Sequence, residues 1–368
     1  MKILVVQDYL RSGGTERQSV LLANAFAAAG HATTLVTFRP GGALSATLAA
    51  AVVRRSLQPF DLGLDWFAPG LTRTVSDASP DIVLCMGRMA NCYSGILQRH
   101  RPAAVVIATM RTGKSLPFLF RRSLHLVRQI VANSHEARTT LTTQHGLPSN
   151  KISVIHNSLV FPSLPSASSL SSARQALRAQ YGAKPATTVF LNVAMFRPEK
   201  NQRELIEIAS GLPRSLDWQL WLAGDGPARA ECETLVERKN LSAHIRFVGF
   251  HRDPSPFYAA ADLAVHASWS EALSNFLIEA QAHGLPAVAY EAQGNRECLI
   301  PDRTGWTIAR HDRAAFHAAL VRLAAEPPAT RAVRSTEARA FARTTFDPVR
   351  QAAAYLTLFQ ALVRHSPT

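Results

Sequence analysis

Apolar residues along this chain fall into two alternating rhythms. Short runs rich in Val, Ile and Leu read as strands buried on both faces, and the segments between them carry the i, i+3, i+4 spacing of amphipathic helices. In the first half the strand candidates are Lys2–Gln7, Thr33–Thr37, Asp81–Cys85, Ala104–Ala108, Gln129–Asn133 and Ile152–Ile155. A helix to about Ala29 follows the loop Gly13-Gly14-Thr15-Glu16, and Ser134 is placed to cap another that runs to about Gln144. The second half repeats the alternation, with strands at Val189–Ala194, Trp218–Ala223, Ile245–Val248, Leu263–His266 and Ala287–Ala289. Helical patterns fill 312–325, 330–343 and 348–364. Strand, crossover helix and strand make a parallel βαβ unit, so the pattern predicts an α/β protein with two Rossmann-like sheets. Residues 162–173 are rich in Ser, Ala and Pro and read as the linker between a first domain, 1–161, and a second, 174–347.

At 368 residues the chain is long enough for two buried cores. Met1–Gln7 is too short an apolar run for a signal peptide, and no apolar stretch approaches the roughly 20 residues of a membrane span. Cys85, Cys92, Cys232 and Cys298 lack metal or redox spacing, which fits a reducing cytoplasm. The net charge of +14 is uneven: residues 1–161 hold 17 Lys and Arg against 7 Asp and Glu, and between Asp81 and Glu199 only Glu136 is acidic. Such a field favours an anionic partner such as membrane headgroups or an acidic substrate, with a merely solvated basic face as the plain alternative. Charge alone would also suit nucleic acid, but no recognition-helix or aromatic-basic motif accompanies it, so that class is set aside.

The densest chemistry lies in 268–297. Glu271 and Glu279 bracket a polar loop with Ser274 and Asn275, after which Phe276 to His283 reads as a helix stopped by Gly284 and Pro286. A helix N-terminus offers backbone N–H groups to an anion, and carboxylates beside it suit hydroxyl donors. Phosphate plus hydroxyls means a nucleotide, a sugar or both; a surface glutamate pair around an ordinary turn is the plainer reading of the spacing. A second stretch, Asn192 to Asn201, follows a strand, and Lys200 within it could neutralise a diphosphate. The paired Gly13 and Gly14 would let backbone approach a ligand, or simply form a tight turn; they lack the G-x-G-x-x-G spacing of a dinucleotide site. No Asp-x-Asp signature and no Cys/His cluster points to a metal.

The Glu-x7-Glu element, the Gly-Gly-x-Glu loop, the run Val131 to Ser134 and the Lys200 stretch together resemble glycosyltransferase family 4. The resemblance implies a GT-B architecture, two Rossmann-like domains facing a cleft, with the last helix, about 348–364, crossing back to the first. It implies a retaining, metal-independent hexosyltransferase without a cofactor, using a nucleoside-diphosphate sugar as co-substrate. The acceptor it suggests is a glycan or lipid-linked intermediate of envelope polysaccharide, such as lipopolysaccharide or capsule. It assigns Glu271 and Lys200 to catalysis, and Arg197 is the nearby candidate to stand in for the family's Arg. Donor binding falls to Glu279, Leu273, Ser274, Asn275, Phe276, Gly13 and Gly14, and the acceptor side to Glu16; Arg111 is a further acceptor-side candidate for an acidic or phosphorylated group, with an ordinary basic surface residue as the equal alternative. Three departures stand out: Met195 where the family usually has Arg, Ala272 after the first Glu where it has Gly, and Thr109-Met110-Arg111 where many members carry His. Met195 and Ala272 motivate an alternative, a catalytically weak GT-B subunit that binds nucleotide sugar or supports a partner enzyme.

One further segment, Leu116–Arg128, sets Leu116, Leu119, Phe120, Leu124 and Val127 against Arg121, Arg122, His125 and Arg128. This is the pattern of a basic helix on anionic lipid, and equally of a domain helix with a solvated basic side. With the charge excess it predicts a cytoplasmic protein peripheral on the inner face of the membrane, with Arg121, Arg122 and Arg128 at the surface.

Overall fold

The computed structural model of the chain describes residues 1–161 and 167–364. By contacts the chain divides into two units, Met1–Ser158 with Phe346–Thr368, and Leu159–Thr345.

The first unit runs β1 (Lys2–Gln7), α1 (Gly14–Ala28), β2 (Ala32–Thr37), β3 (Val53–Ser56), α2 (Leu71–Ala78), β4 (Ile82–Cys85) and α3 (Arg88–His100). It continues with β5 (Val105–Met110), α4 (Phe118–Leu126), β6 (Gln129–Ala132), α5 (His135–Thr143) and β7 (Ile152–Val154). All neighbouring strands are parallel, in the order β3-β2-β1-β4-β5-β6-β7. Alternate residues of β1 go to opposite faces: Ile3 and Val5 join a core with Val20 and Phe26 of α1, while Leu4 and Val6 meet Val75, Leu97 and Phe120 of α2, α3 and α4. Both faces are therefore covered, which is why the strand reads as an unbroken apolar run.

The helices start where their caps dictate. Ser134 accepts the Ala137 amide at 3.0 Å and opens α5. Gly87 has no side chain to cap α3, and Asp8, just beyond β1, accepts the Met89 and Ala90 amides instead, at 3.0 and 2.7 Å. Burial pushes the Asp8 carboxyl up to about 6 against the pull of those two amides.

The second unit comprises α6 (Ala167–Gln180), β8 (Thr188–Val193), α7 (Gln202–Ala209), β9 (Trp218–Ala223), α8 (Arg229–Arg238), β10 (Ile245–Gly249) and α9 (Ser255–Ala260). After these come β11 (Leu263–His266), α10 (Asn275–Ala282), β12 (Ala287–Tyr290), β13 (Gly305–Ile308), α11 (Arg313–Ala324) and α12 (Pro328–Thr345). Its strands are again parallel, ordered β10-β9-β8-β11-β12-β13. The last helix, α13 (Pro348–Arg364), belongs to the first unit, where Tyr355 and Phe359 pack edge-on against Phe26 of α1 at 6.2 and 5.4 Å between centroids.

Two strands were not legible from the pattern, β3 and β13. Both are edge strands: β3 reads Val-Arg-Arg-Ser and is largely exposed, so no apolar run marks it. The stretch read as a linker is corrected in part. Residues 162–166 lie outside those described, but α6 already begins at Ala167. What makes that segment a helix of the second unit is two arginines one turn apart. Arg174 donates to the Ala259 and Ala261 carbonyls and to Asp262 at 2.6 Å, and buried Arg178 donates to Asp262 and to the carbonyls of Ala260, Lys184 and Thr187. Arg178→Ala should lower the unfolding free energy by about 3–5 kcal/mol, because the carbonyls of Ala260, Lys184 and Thr187 lose their donor and Asp262 keeps only Arg174 as counter-charge. Urea unfolding checks this, and Arg178→Lys should fail to rescue, since one ammonium cannot replace a fork of five donors.

Candidate functional site

In the second unit β8 is the first strand, with β9 on one side and β11 on the other. Strand order reverses between β8 and β11, and the loops leaving their carboxyl ends diverge there, as at ligand sites of open α/β sheets. Those two loops carry Lys200 and Glu271. They are tied together: Ser268 Oγ and the Trp269 amide both donate to the Glu199 carbonyl, at 2.9 and 3.2 Å, and Asn201 Nδ2 donates to the Ala267 carbonyl at 3.3 Å.

At their junction Lys200 Nζ lies 2.6 Å from Glu271 Oε1, and His266 Nε2 lies 2.9 Å from the same oxygen. The Glu271 side chain is only 10% exposed. Burial alone would raise its carboxyl, but the Lys200 charge and the His266 hydrogen bond overcome it and hold the group down at about 2. Glu271 is therefore an acceptor, which fixes the proton of His266 on Nε2. The Nδ1 of His266 is buried with no hydrogen-bond partner among the described residues.

Helix α10 opens beside this cluster. Ser274 caps it by accepting the Leu277 amide, and Glu279 stands one turn inside, with Tyr258 Oη of α9 donating to Glu279 Oε2 at 2.7 Å. Leu273, Ser274 and Phe276 are buried and Asn275 is half-buried. The loop before α10 is pressed from behind by Gly294, whose φ is 75° and where a Cβ would come within 2.2 Å of the Ala272 carbonyl oxygen. On the β8 side Gly224, with φ 139°, makes the same close approach to the Ala194 carbonyl, so the turn after β9 sets the backbone that leads to Lys200.

The sequence-predicted residues thus separate. Glu271 and Lys200 meet, with Glu279, Leu273, Ser274, Asn275 and Phe276 on the adjoining helix start. Arg197 and Met195 are both exposed, and the hydrogen bonds of Arg197 run through its backbone, its amide donating to the Met195 carbonyl and its carbonyl accepting from the Lys200 amide, both at 2.9 Å. His266, read from the sequence as a capping or core residue, is a direct partner of Glu271; a histidine ending a buried strand five residues before the glutamate was the available signal.

In the first unit Gly14 begins α1, and Gly13 at its cap has an ordinary extended backbone. A Cβ at 13 would sit 2.4 Å from the Glu16 carboxylate, the far end of a side chain that can swing aside, so neither backbone nor space demands glycine here. Arg111 is anchored internally: it donates to Asn157 Oδ1 at 2.5 Å and to Tyr355 Oη of α13 at 2.6 Å. Along α4, Phe120 and Leu124 are buried and Arg121 and Arg122 are exposed, as the spacing predicts. Leu119 is corrected: it is 54% exposed and lies on the basic side. Arg128 lies beyond α4 and donates to the Pro102 carbonyl at 2.6 Å. Among the described residues no helix is long and apolar enough to cross a membrane.

Comparison with known proteins agrees with this geometry. Residues 12–159 match the family model described as Glycosyltransferase Family 4, and residues 173–341 that of glycosyl transferases group 1. EpsD of Bacillus subtilis is 31% identical over 176 residues, 45% of this chain and 46% of that protein. LpsE of Rhizobium meliloti, a lipopolysaccharide core biosynthesis glycosyltransferase, is 30% identical over 138 residues, 38% of this chain and 40% of that protein. The matched regions thus span less than half the length of these two relatives. Among solved structures, HepE of Anabaena in complex with UDP superimposes with a TM-score of 0.80 over 98% of this chain and all of that one, at 22% identity. Two parallel Rossmann-like sheets with this likeness define a GT-B fold. The chain belongs to glycosyltransferase family 4.

Two outcomes follow from the cluster. Because the Glu271 carboxyl is held below its usual 4.5, its contribution to stability is complete above that value and fades as pH falls towards 2. His266→Leu removes one of the two interactions holding it down, so thermal unfolding of that variant should begin to lose stability at a higher pH than the wild type. His266→Gln, whose amide can donate in place of Nε2–H, should recover most of the difference. Separately, Gly294→Ala should destabilise the protein by about 1–3 kcal/mol through its left-handed backbone and the Ala272 carbonyl, as read by urea unfolding.

Proposed function

We propose that the chain is a retaining, metal-independent glycosyltransferase that moves a sugar from a nucleoside-diphosphate sugar to a glycan or lipid-linked acceptor in envelope polysaccharide biosynthesis. The observation that carries this reading is the buried Glu271 carboxylate, held by Lys200 and His266 at the strand-order reversal, with Glu279 one turn into α10. Glu279 has one oxygen fixed by Tyr258 and takes the ribose hydroxyls; Glu271 faces hydroxyls of the transferred sugar. The amides from Leu273 to Phe276 and the Lys200 ammonium receive the diphosphate as its charge grows on departure, a task a metal performs in other enzymes. In front-face transfer the departing phosphate takes the proton of the acceptor hydroxyl, so that the new bond forms on the face the leaving group vacates. Within the first unit, Gly13, Gly14 and Glu16 are assigned to substrate binding by the family's Gly-Gly-x-Glu loop, and Arg111, held by Asn157 and Tyr355, to the acceptor.

The printed functions of relatives support the class of substrate. LpsE and the lipopolysaccharide glucosyltransferase WaaG of Escherichia coli are named for lipopolysaccharide, and HepE was solved with UDP-glucose as well as UDP. An acceptor of that kind places the enzyme on the inner face of the membrane, where Arg121 and Arg122 would each contribute about 1 kcal/mol near anionic lipid. Arg128, already hydrogen-bonded to Pro102, adds long-range charge. Exposed Met195 at a position usually basic favours a second reading, a weak GT-B subunit that binds donor without turning it over.

A thermal-shift panel of UDP-, GDP- and ADP-sugars identifies the donor, since a ligand of the native state raises the melting temperature by mass action. With that donor, Lys200→Ala should lower the transfer rate about a hundredfold. Glu279→Ala should weaken donor binding, while Glu271→Ala should chiefly reduce turnover. Wild-type kinetics in all three would refute the assignment; donor binding without transfer or hydrolysis in the wild type would select the subunit reading.

A further inference from the structure

The loop between β3 and α2 inverts the usual placement of side chains. Phe60 is 65% exposed and Trp66 55%, and Leu62, Leu64 and Phe67 are also exposed, while Gln58 of the same loop is buried and the partly exposed Asp61 and Asp65 are held by arginines. Arg39 forks onto Asp61 at 2.7 and 2.9 Å and reaches Asp65 at 2.8 Å; Arg11 takes Asp65 at 2.8 and 2.9 Å. The Tyr9 ring lies under both guanidinium groups, 4.1 Å from Arg39 and 5.1 Å from Arg11. Buried Gln58 donates to the Leu64 and Phe67 carbonyls at 2.8 and 2.7 Å, and Tyr93 Oη of α3 donates to the Trp66 carbonyl at 2.7 Å. The apolar tip is thus held out by its own polar skeleton.

Charge decides what this tip fits. Two arginines face two aspartates at the base, so the loop presents no net charge of its own. The residues around it are basic. On the other side of the first turn of α3, Arg88 donates to the Ser115 carbonyl, and the segment that follows exposes Lys114, Phe118, Leu119, Arg121 and Arg122. The loop through Trp66 and the segment from Ser115 thus both rest on α3, through Tyr93 and Arg88, which puts the apolar tip and these cations on the same part of the first unit. A neutral apolar tip within a cationic border matches the headgroup and upper acyl zone of an anionic bilayer, where Trp is at home and arginines stay at phosphate level.

We propose that Phe60, Leu62, Leu64 and Trp66 insert into an anionic bilayer, with Phe118 and Leu119 beside them and Arg88, Arg121 and Arg122 at the headgroups. This rests on the reading of the chain as working at a membrane, and adds to it an apolar component that salt does not remove. The loop needs no ordering on binding, so little of its burial energy is lost to entropy.

Sedimentation with vesicles of phosphatidylethanolamine and phosphatidylglycerol at low and high salt separates the two components. The wild type should keep a fraction bound at high salt, and Phe60→Ser/Trp66→Ser should lower that partitioning about tenfold or more. Phe60→Leu/Trp66→Phe should retain it, and Arg121→Glu/Arg122→Glu should lose only the salt-sensitive part. Lipids brominated on the acyl chain should quench more emission in the wild type than in Trp66→Phe, a comparison that holds even if the serine variant fails to fold. Loss of all wild-type binding at high salt, or equal quenching in the two proteins, overturns insertion while leaving electrostatic attachment intact. No pelleting at any salt overturns both and points the tip at a glycan or a protein. Neither result bears on transfer itself, which the nucleotide-sugar shift reads independently.

Discussion

One buried carboxylate organises the second unit. Glu271 sits where an ionised group is costly, and it stays ionised because Lys200 and His266 both reach the same oxygen. Those partners come from different places, one from the loop after β8 and one from the end of β11. Their meeting depends on β8 and β11 being neighbours in the sheet although 71 residues separate Lys200 from Glu271. Everything else at the site follows from that junction: the hydrogen bonds onto Glu199, the Gly294 contact behind Ala272, and the place where α10 begins. Removing Lys200 leaves Glu271 buried without its counter-charge, and removing His266 takes away one of the two hydrogen bonds that hold it.

How far this was legible depended on what kind of physics fixed each residue. Central strands buried on both faces announce themselves as apolar runs, and β1, β9 and β11 have the bounds expected from the sequence. Edge strands such as β3 carry one apolar residue among charges and give no such signal. The Ser-rich stretch hid a helix because composition suggests mobility, whereas Arg174 and Arg178 supply contacts visible only once Asp262 and the carbonyls around it are in place. At the site, the spacing of Glu271 and Glu279 around a helix start was readable locally. The role of His266 was not, because it depends on the direction of one side chain at a strand end. Arg197 and Lys200 looked alike on the page; the loop turns only Lys200 towards Glu271.

The first unit shows the same principle used in reverse. Its arginines at 39 and 111 are spent on internal contacts, with Asp61 and Asp65 in one case and Asn157 and Tyr355 in the other. The charge of Arg39 is offset by its two aspartates, whereas Arg111, bonded to neutral groups, is fixed in place and keeps its charge. The net positive character of residues 1–161 is expressed at the surface by exposed residues such as Arg121 and Arg122, which have no such internal partners among the described contacts. Reading charge as a total would have treated all of these residues as equivalent.

The central claim is that the loops after β8 and β11, with the start of α10, bind the nucleoside-diphosphate sugar. Hydrogen–deuterium exchange with and without a stabilising nucleotide sugar addresses it directly, residue by residue and without need of an acceptor. The account predicts that donor slows exchange at the amides of Leu273 to Phe276 and around Lys200, and that Glu279→Ala weakens this protection at a fixed donor concentration. Protection elsewhere in the chain, with those amides exchanging at the same rate in both states, would contradict it.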